Sequence, residues 1–168
     1  MSMDVTFDRY LFEATDLVFQ GDFVGARAKI DKALVRQPGE PRALTMLANI
    51  LTAQNDHAAA AAIYHQLLAD FPDEPALHFM LGCEMLSLGD LRAGFKEVEK
   101  ATELEPTNET WQRFADVVEL IVEGRWDRDD LPEGIPGELL EVVDRIAKMA
   151  AEDKRQEEPA FVEDNPFA

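Results

Sequence analysis

The sequence predicts an all-α array of helix-turn-helix repeats, and three observations carry that prediction. Pro38, Pro72 and Pro106 stand 34 residues apart. A pattern of small and large residues recurs at the same interval ahead of each proline. Apolar residues make up 46% of the chain and fall at helical spacing, without the alternating runs bounded by turns that would mark strands.

The three units run over 7–40, 41–74 and 75–108. Each first helix offers a large residue (Tyr10, Leu44, His78), then a small one (Ala14, Ala48, Gly82), then a large apolar one (Leu17, Leu51, Met85). A turn pair follows: Gly21-Asp22, Asn55-Asp56 and Gly89-Asp90. Gly and Asn accept the left-handed backbone that ends a helix, and the Asp can cap the next one. Each second helix repeats the alternation with Ala26, Ala60 and Gly94, then Ile30, Tyr64 and Val98, then Ala33, Leu67 and Ala101. Small residues let two helices approach, and large ones fill the space beside them. The proline closing each unit stops its helix, and Pro41 and Pro75 fall near a first turn, where proline is tolerated.

Beyond Asn108 the pattern changes. Glu109 to Glu123 reads as a seventh helix with a broad stripe of Trp111, Phe114, Val117, Val118, Ile121 and Val122. The segment 124–137 holds three glycines and two prolines, so the second helix of a partial fourth repeat is delayed to Glu138. Leu139, Val142, Val143, Ile146 and Ala150 then share one face, with Glu141, Asp144, Arg145 and Lys148 on the polar side. That is the make-up of a capping helix that hides the last apolar face of an array. The partial repeat and its cap are expected over 109–152. Residues 153–168 are polar, acidic and proline-bearing, and are expected to be disordered.

The 34-residue unit and its small-large pattern resemble the tetratricopeptide repeat family, over residues 7–108 and a partial fourth unit. Two departures stand out: His78 takes a place that is usually large and apolar, and Glu13 takes one that Leu47 and Leu81 keep as leucine. The resemblance implies a right-handed α-solenoid whose first helices line a concave groove. The implied partner-binding residues are Leu11, Thr15, Val18 and Phe19 from the first unit, Arg42, Thr45, Asn49 and Thr52 from the second, and Phe79, Cys83 and Leu86 from the third. Ala76 joins them, with Met46 and Met80 near the edge. One subset of the family grips a chaperone's acidic C-terminus with Lys, Arg and Asn. Here Leu11 and Ala76 occupy the lysine places, so that mode is not expected.

Charge limits the partners. The chain carries 34 Asp and Glu against 16 Lys and Arg, a net of −18. Residues 119–168 hold 15 acids and 6 bases, half of that excess in under a third of the length. Nucleic acid and anionic membrane surfaces need clustered Lys and Arg, and are not expected as ligands. A basic partner, or basic flanks on an apolar one, would be attracted in a salt-dependent way. No apolar run is long enough to span a membrane, and no signal core follows Met1. The lone Cys83 excludes an internal disulfide, and a cytoplasmic setting is the expectation.

The chemistry-bearing residues do not gather into a catalytic set. His57 and His65 lie eight residues apart, too far for a one-turn metal pair, and Cys83 has no second thiolate. His57 is expected to open a helix on the surface and His78 to lie in a helix contact. Asp127, Asp129, Asp130 and Glu133 evoke a calcium loop, but Leu131 and Pro132 interrupt the oxygen ligands. No cofactor, metal site or enzymatic activity is expected.

The expected function is therefore a non-enzymatic adaptor or scaffold that binds an apolar or amphipathic segment of another protein. A small secretion-type chaperone, keeping an apolar client soluble, is the alternative. Chaperones of the bacterial type III secretion class are similar in size, acidity and three-repeat layout, although they usually carry an extra helical segment before the first repeat. An enzyme with a site in the 124–137 loop is a third, poorly supported reading. Self-association is also open, through docking of Phe161, Val162 and Phe167 in a neighbour's groove.

Overall fold

A computed structural model describes residues 5–157. The expectations for Met1 to Asp4 and for the tail beyond 157, including Phe161, Val162 and Phe167, lie outside the described residues. Among the described residues there are eight α-helices and no strand. They run α1 Val5–Phe19, α2 Phe23–Arg36, α3 Pro41–Ala53, α4 His57–Asp70, α5 Pro75–Ser87, α6 Leu91–Leu104, α7 Glu109–Val122 and α8 Gly137–Glu157. A single 3-10 turn, Arg128–Asp130, interrupts the loop before α8. The cap therefore starts one residue earlier than expected and extends past Glu152.

Each turn uses the chemistry its residues supply. Gly21, Asn55, Gly89 and Gly124 all have φ between 60° and 89°, the left-handed backbone that ends α1, α3, α5 and α7. The next residue's N–H then reaches back to close the helix end: Asp22 to the Leu17 carbonyl, Asp56 to Leu51, Asp90 to Met85 and Arg125 to Leu120. Asp22, Asp56 and Asp90 accept from the amides of Gly25, Ala59 and Ala93 and so cap α2, α4 and α6. Asn108 does the same for α7 through Trp111. Pro41 and Pro75 open α3 and α5 at the first turn.

Consecutive helices pack as antiparallel neighbours, and each second helix also meets the first helix of the next unit. The repeat alignment explains the departure at Glu13. Leu47 and Leu81 at the equivalent position face a preceding second helix, but α1 has none beside it in this structure. Around this outer face the chain carries Arg9, Glu13 and Asp16 in the places of Ala43, Leu47 and Ile50. Glu13 pairs with Arg9 and with Lys29 of α2. The hydrogen bond from Lys29 holds the Glu13 carboxyl below the usual carboxylate range. A polar outer face is what a terminal repeat requires.

The third unit packs most closely. A methyl group on Gly94 would come within 2.8 Å of the Leu86 backbone nitrogen, and one on Gly82 within 2.9 Å of the Gly94 carbonyl oxygen. In the first two units these places hold Ala14 with Ala26 and Ala48 with Ala60. The glycine pair thus brings α5 and α6 together more tightly than the alanine pairs bring their helices. Gly94→Ala is expected to force the helices apart and destabilise the fold by about 1–3 kcal/mol. Thermal unfolding followed by circular dichroism should show a melting temperature several degrees lower; an unchanged value would contradict the close contact.

Candidate functional site

The residues expected to line the groove fall into two groups. The N-terminal group lies open. Phe19 is 86% exposed and Arg42 and Asn49 are exposed, while Thr15, Val18, Thr45 and Thr52 are half-buried. Leu11 is the buried member of this group, and its carbonyl accepts from the Thr15 hydroxyl at 2.9 Å. Arg42 is engaged by its own neighbours: it bonds Glu40 and Asp8 and sits 5.4 Å from the centre of the Phe7 ring. Its cation is thereby matched within the chain. Asn49 accepts a 2.7 Å hydrogen bond from the buried Tyr64 hydroxyl, which fixes the orientation of its amide.

The third-unit group is covered. Phe79 stacks on Trp111 at 4.7 Å and meets Phe114 edge-on at 5.5 Å. Phe79 and Leu86 are buried in one cluster with Val143 and Ile146 of α8, and Cys83 packs at its edge. Two elements cover this group: α7 supplies Trp111 and Phe114 against Phe79, and α8 lies back across α5 and α7, the first helices of units three and four. Desolvation, followed by the neighbouring Glu84 carboxylate, pushes the Cys83 thiol up.

A buried polar relay registers this cap. Glu84, on α5, is 3% exposed. The Thr52 hydroxyl lies 2.6 Å from its Oε1 and 3.1 Å from the Ala48 carbonyl. With one proton to give, the hydroxyl donates to the closer, charged acceptor. His57 Nδ1 lies 2.7 Å from the other carboxylate oxygen, and its Nε2 lies 2.6 Å from Arg145 Nη1 of α8. These partners assign the ring: it donates to Glu84 through Nδ1 and accepts from the guanidinium at Nε2. Four helices, α3, α4, α5 and α8, are thus joined through one carboxylate and one imidazole.

His57 opens α4 as expected, but it is turned inward, its side chain only 13% exposed, because the buried Glu84 draws it in. His78 does lie in a helix contact. Its Nδ1 meets Glu97 of α6 at 2.7 Å and its Nε2 meets the Pro72 carbonyl at 2.8 Å. Sequence reasoning passed over Glu84, His57 and Arg145 as a set. The signal was present in the alignment: Glu84 stands where the second and fourth units have the buried Ile50 and Val118 and the first has the exposed Asp16, and His57 stands where the first and third have Phe23 and Leu91.

Among the described residues no three His, Cys, Asp or Glu side chains gather to hold a metal ion, and no helix is long and apolar enough to cross a membrane. The described residues offer a surface and a set of hydrogen-bonding groups. The far nitrogen of His57 is occupied by Arg145.

A family profile described as tetratricopeptide repeat matches residues 13–75 and 45–89. No curated protein sequence matches the chain. Solved structures share its fold. The tetratricopeptide repeat domain of Sgt2 from Aspergillus fumigatus is 18% identical with a TM-score of 0.64, over 80% of this chain and 93% of that one. YrrB, described as a tetratricopeptide repeat protein with an unusual peptide-binding site, is 16% identical with a TM-score of 0.61, over 90% of this chain and 76% of that one. An O-GlcNAc transferase mutant from Thermobaculum terrenum is 22% identical with a TM-score of 0.64, over 76% of this chain. This chain spans only 25% of that enzyme's length.

Burial beneath α8 sets an expectation for Cys83. At pH 8 the raised thiol holds little thiolate and is shielded, so a thiol reagent should modify it at least about tenfold more slowly in the native protein than in urea. Arg145→Ala, which loosens the cap, should narrow that gap. Equal native and unfolded rates in the unmodified sequence would show that Cys83 is not covered.

Proposed function

We propose that this chain, which belongs to the tetratricopeptide repeat family, binds a peptide or helical segment of another protein in the open half of its concave groove. Repeats of this family generally serve as protein–protein interaction modules, and the observation that carries the finer reading is the contrast within the groove. Units three and four are covered by α7 and α8, whereas in units one and two Phe19 and Asn49 are exposed and Thr15, Val18 and Thr45 half-buried. An exposed aromatic on a face that also offers polar groups is the make-up of a recognition surface, with an apolar anchor and hydrogen bonds to set register. Along the rim Phe12, 67% exposed, and Met80, 39% exposed, extend the apolar surface. Methionine adapts its shape to irregular ligands.

The net charge of −18 favours a segment with basic flanks and disfavours nucleic acid. No catalytic role is assigned, because the relay around Glu84 is closed by Arg145 and offers no free base. A chaperone role for the same surface remains the alternative. It would differ in its client, a segment that aggregates without this protein, and co-expression would reveal it as a gain in client solubility.

Selection from a displayed peptide library tests the groove. Recovered sequences should be apolar or amphipathic with Lys or Arg nearby, and Phe19→Asp should weaken them at least about tenfold, a loss of about 1.4 kcal/mol or more. Its thermal stability should not change, since the ring is exposed. Undiminished binding by Phe19→Asp together with Thr45→Glu would contradict the open half as the site.

A further inference from the structure

The two inward-turned histidines meet opposite kinds of partner, and the third, His65, is exposed. Both ring nitrogens of His78 face acceptors: Nδ1 lies 2.7 Å from Glu97 and Nε2 lies 2.8 Å from the Pro72 carbonyl. That ring can hold a proton on each nitrogen and keep both contacts. His57 has an acceptor on one side only. Its Nδ1 lies 2.7 Å from Glu84, but its Nε2 lies 2.6 Å from Arg145 Nη1 of α8. A guanidinium has donors and no acceptor, so this nitrogen has to supply a lone pair. A proton there would set N–H against N–H and one cation against another.

We propose that a proton and Arg145 compete for one lone pair, on His57 Nε2, and that α8 is therefore an acid-released latch. The undocked state binds the extra proton, so docking weakens as pH falls. Of the two charges set against the ring, Glu84 favours the protonated form and Arg145 opposes it. The released state leaves no charge bare: protonated His57 keeps its bond to Glu84 and becomes its counter-ion, while Thr52 of α3, itself uncharged, still serves the other oxygen. Of the described side chains on α8, only Val143 and Ile146 are fully buried, so few apolar contacts hold the helix once Arg145 lets go. The remaining groups around the ring do not change the sign. Burial, then Glu84, pushes the Tyr64 hydroxyl of α4 and the Cys83 thiol of α5 up, so both stay neutral as the pH falls. Asp56 at the cap of α4, and Glu141, Asp144 and Lys148 of α8, are exposed and screened by solvent. Release uncovers the apolar cluster that α8 shares with Leu86 of α5 and with Val118 and Ile121 of α7. The latch is independent of what the open half of the groove binds.

The test measures amide protection factors of the full chain at pH 7.5 and 5.5, each corrected for the pH dependence of chemical exchange. Protection of α8 should fall about tenfold at the lower pH, the change that linkage to one ordinary histidine proton gives over that interval. Helices α5 and α6, which His78 joins through acceptors only, should keep or gain protection. Two variants isolate the competition. In His57→Gln the amide does not titrate, and in Arg145→Ala no cation contends for the nitrogen, so the acid-dependent fall in α8 should vanish in both. In Arg145→Ala, which leaves His57 and Glu84 in place, α8 should already be poorly protected at pH 7.5. Equal protection of α8 at the two pH values in the unmodified chain would overturn the proposal, as would α8 unprotected at pH 7.5. A fall that persists in either variant, or one shared equally by α5 and α6, would overturn it as well.

Discussion

A carboxylate inside a helical repeat array is costly to bury, and the way Glu84 is satisfied shapes the rest of the C-terminal half. Its two oxygens take one hydrogen bond from Thr52 of the preceding unit and one from His57 at the start of α4. Removing either would leave a buried carboxylate with part of its hydrogen-bonding capacity unmet, a loss of about 1–3 kcal/mol. His57 can donate to Glu84 and still accept at its far nitrogen, and this far nitrogen is what Arg145 finds. The constraint propagates outward: the carboxylate fixes the imidazole, the imidazole fixes the guanidinium, and the guanidinium sets the register of α8 along α5 and α7. Apolar burial of Val143 and Ile146 supplies attraction without direction; the relay supplies the direction.

From that register follows the division of the groove. With α8 lying over α5 and α7, Phe79 and Leu86 become interior residues and Cys83 packs at their edge, while Phe19 and Asn49 remain exposed. The two ends of the array are handled by different means. On the outer face of the first unit Arg9 and Glu13 stand where the second and third units have the apolar Ala43 and Leu47, Leu77 and Leu81. The last unit is finished by a covering helix. The broad apolar stripe of α7 has to be buried, and the glycine- and proline-containing loop 124–137 gives the chain the length to return over it.

Much of this was legible in the sequence because it is periodic. The prolines, the left-handed Gly and Asn positions, and the Asp caps each act through bonds to residues within one turn, so a 34-residue interval is enough to place them. The glycine pair Gly82 and Gly94 could be read the same way, since close packing of paired helices is a property of the repeat. The expected lining was drawn by the same ruler, which gives a helix face but says nothing of what lies over it. Phe79 is covered by Trp111 and Phe114 of the next unit, whereas the contact of α8 with α5, some sixty residues apart, has no periodic signal to encode it. The relay was half legible: Glu84 takes the place of the buried Ile50 and Val118, but its link to Arg145, 88 residues from His57, exists only in the folded chain.

Amide hydrogen exchange, compared between the protein and its His57→Ala variant, tests the role of the relay most directly. If the relay sets the cap, protection of α8 amides should fall at least about tenfold in the variant, while α1 and the first turns of α3 keep theirs. Unchanged protection in α8, or an equal loss in every helix, would contradict the account.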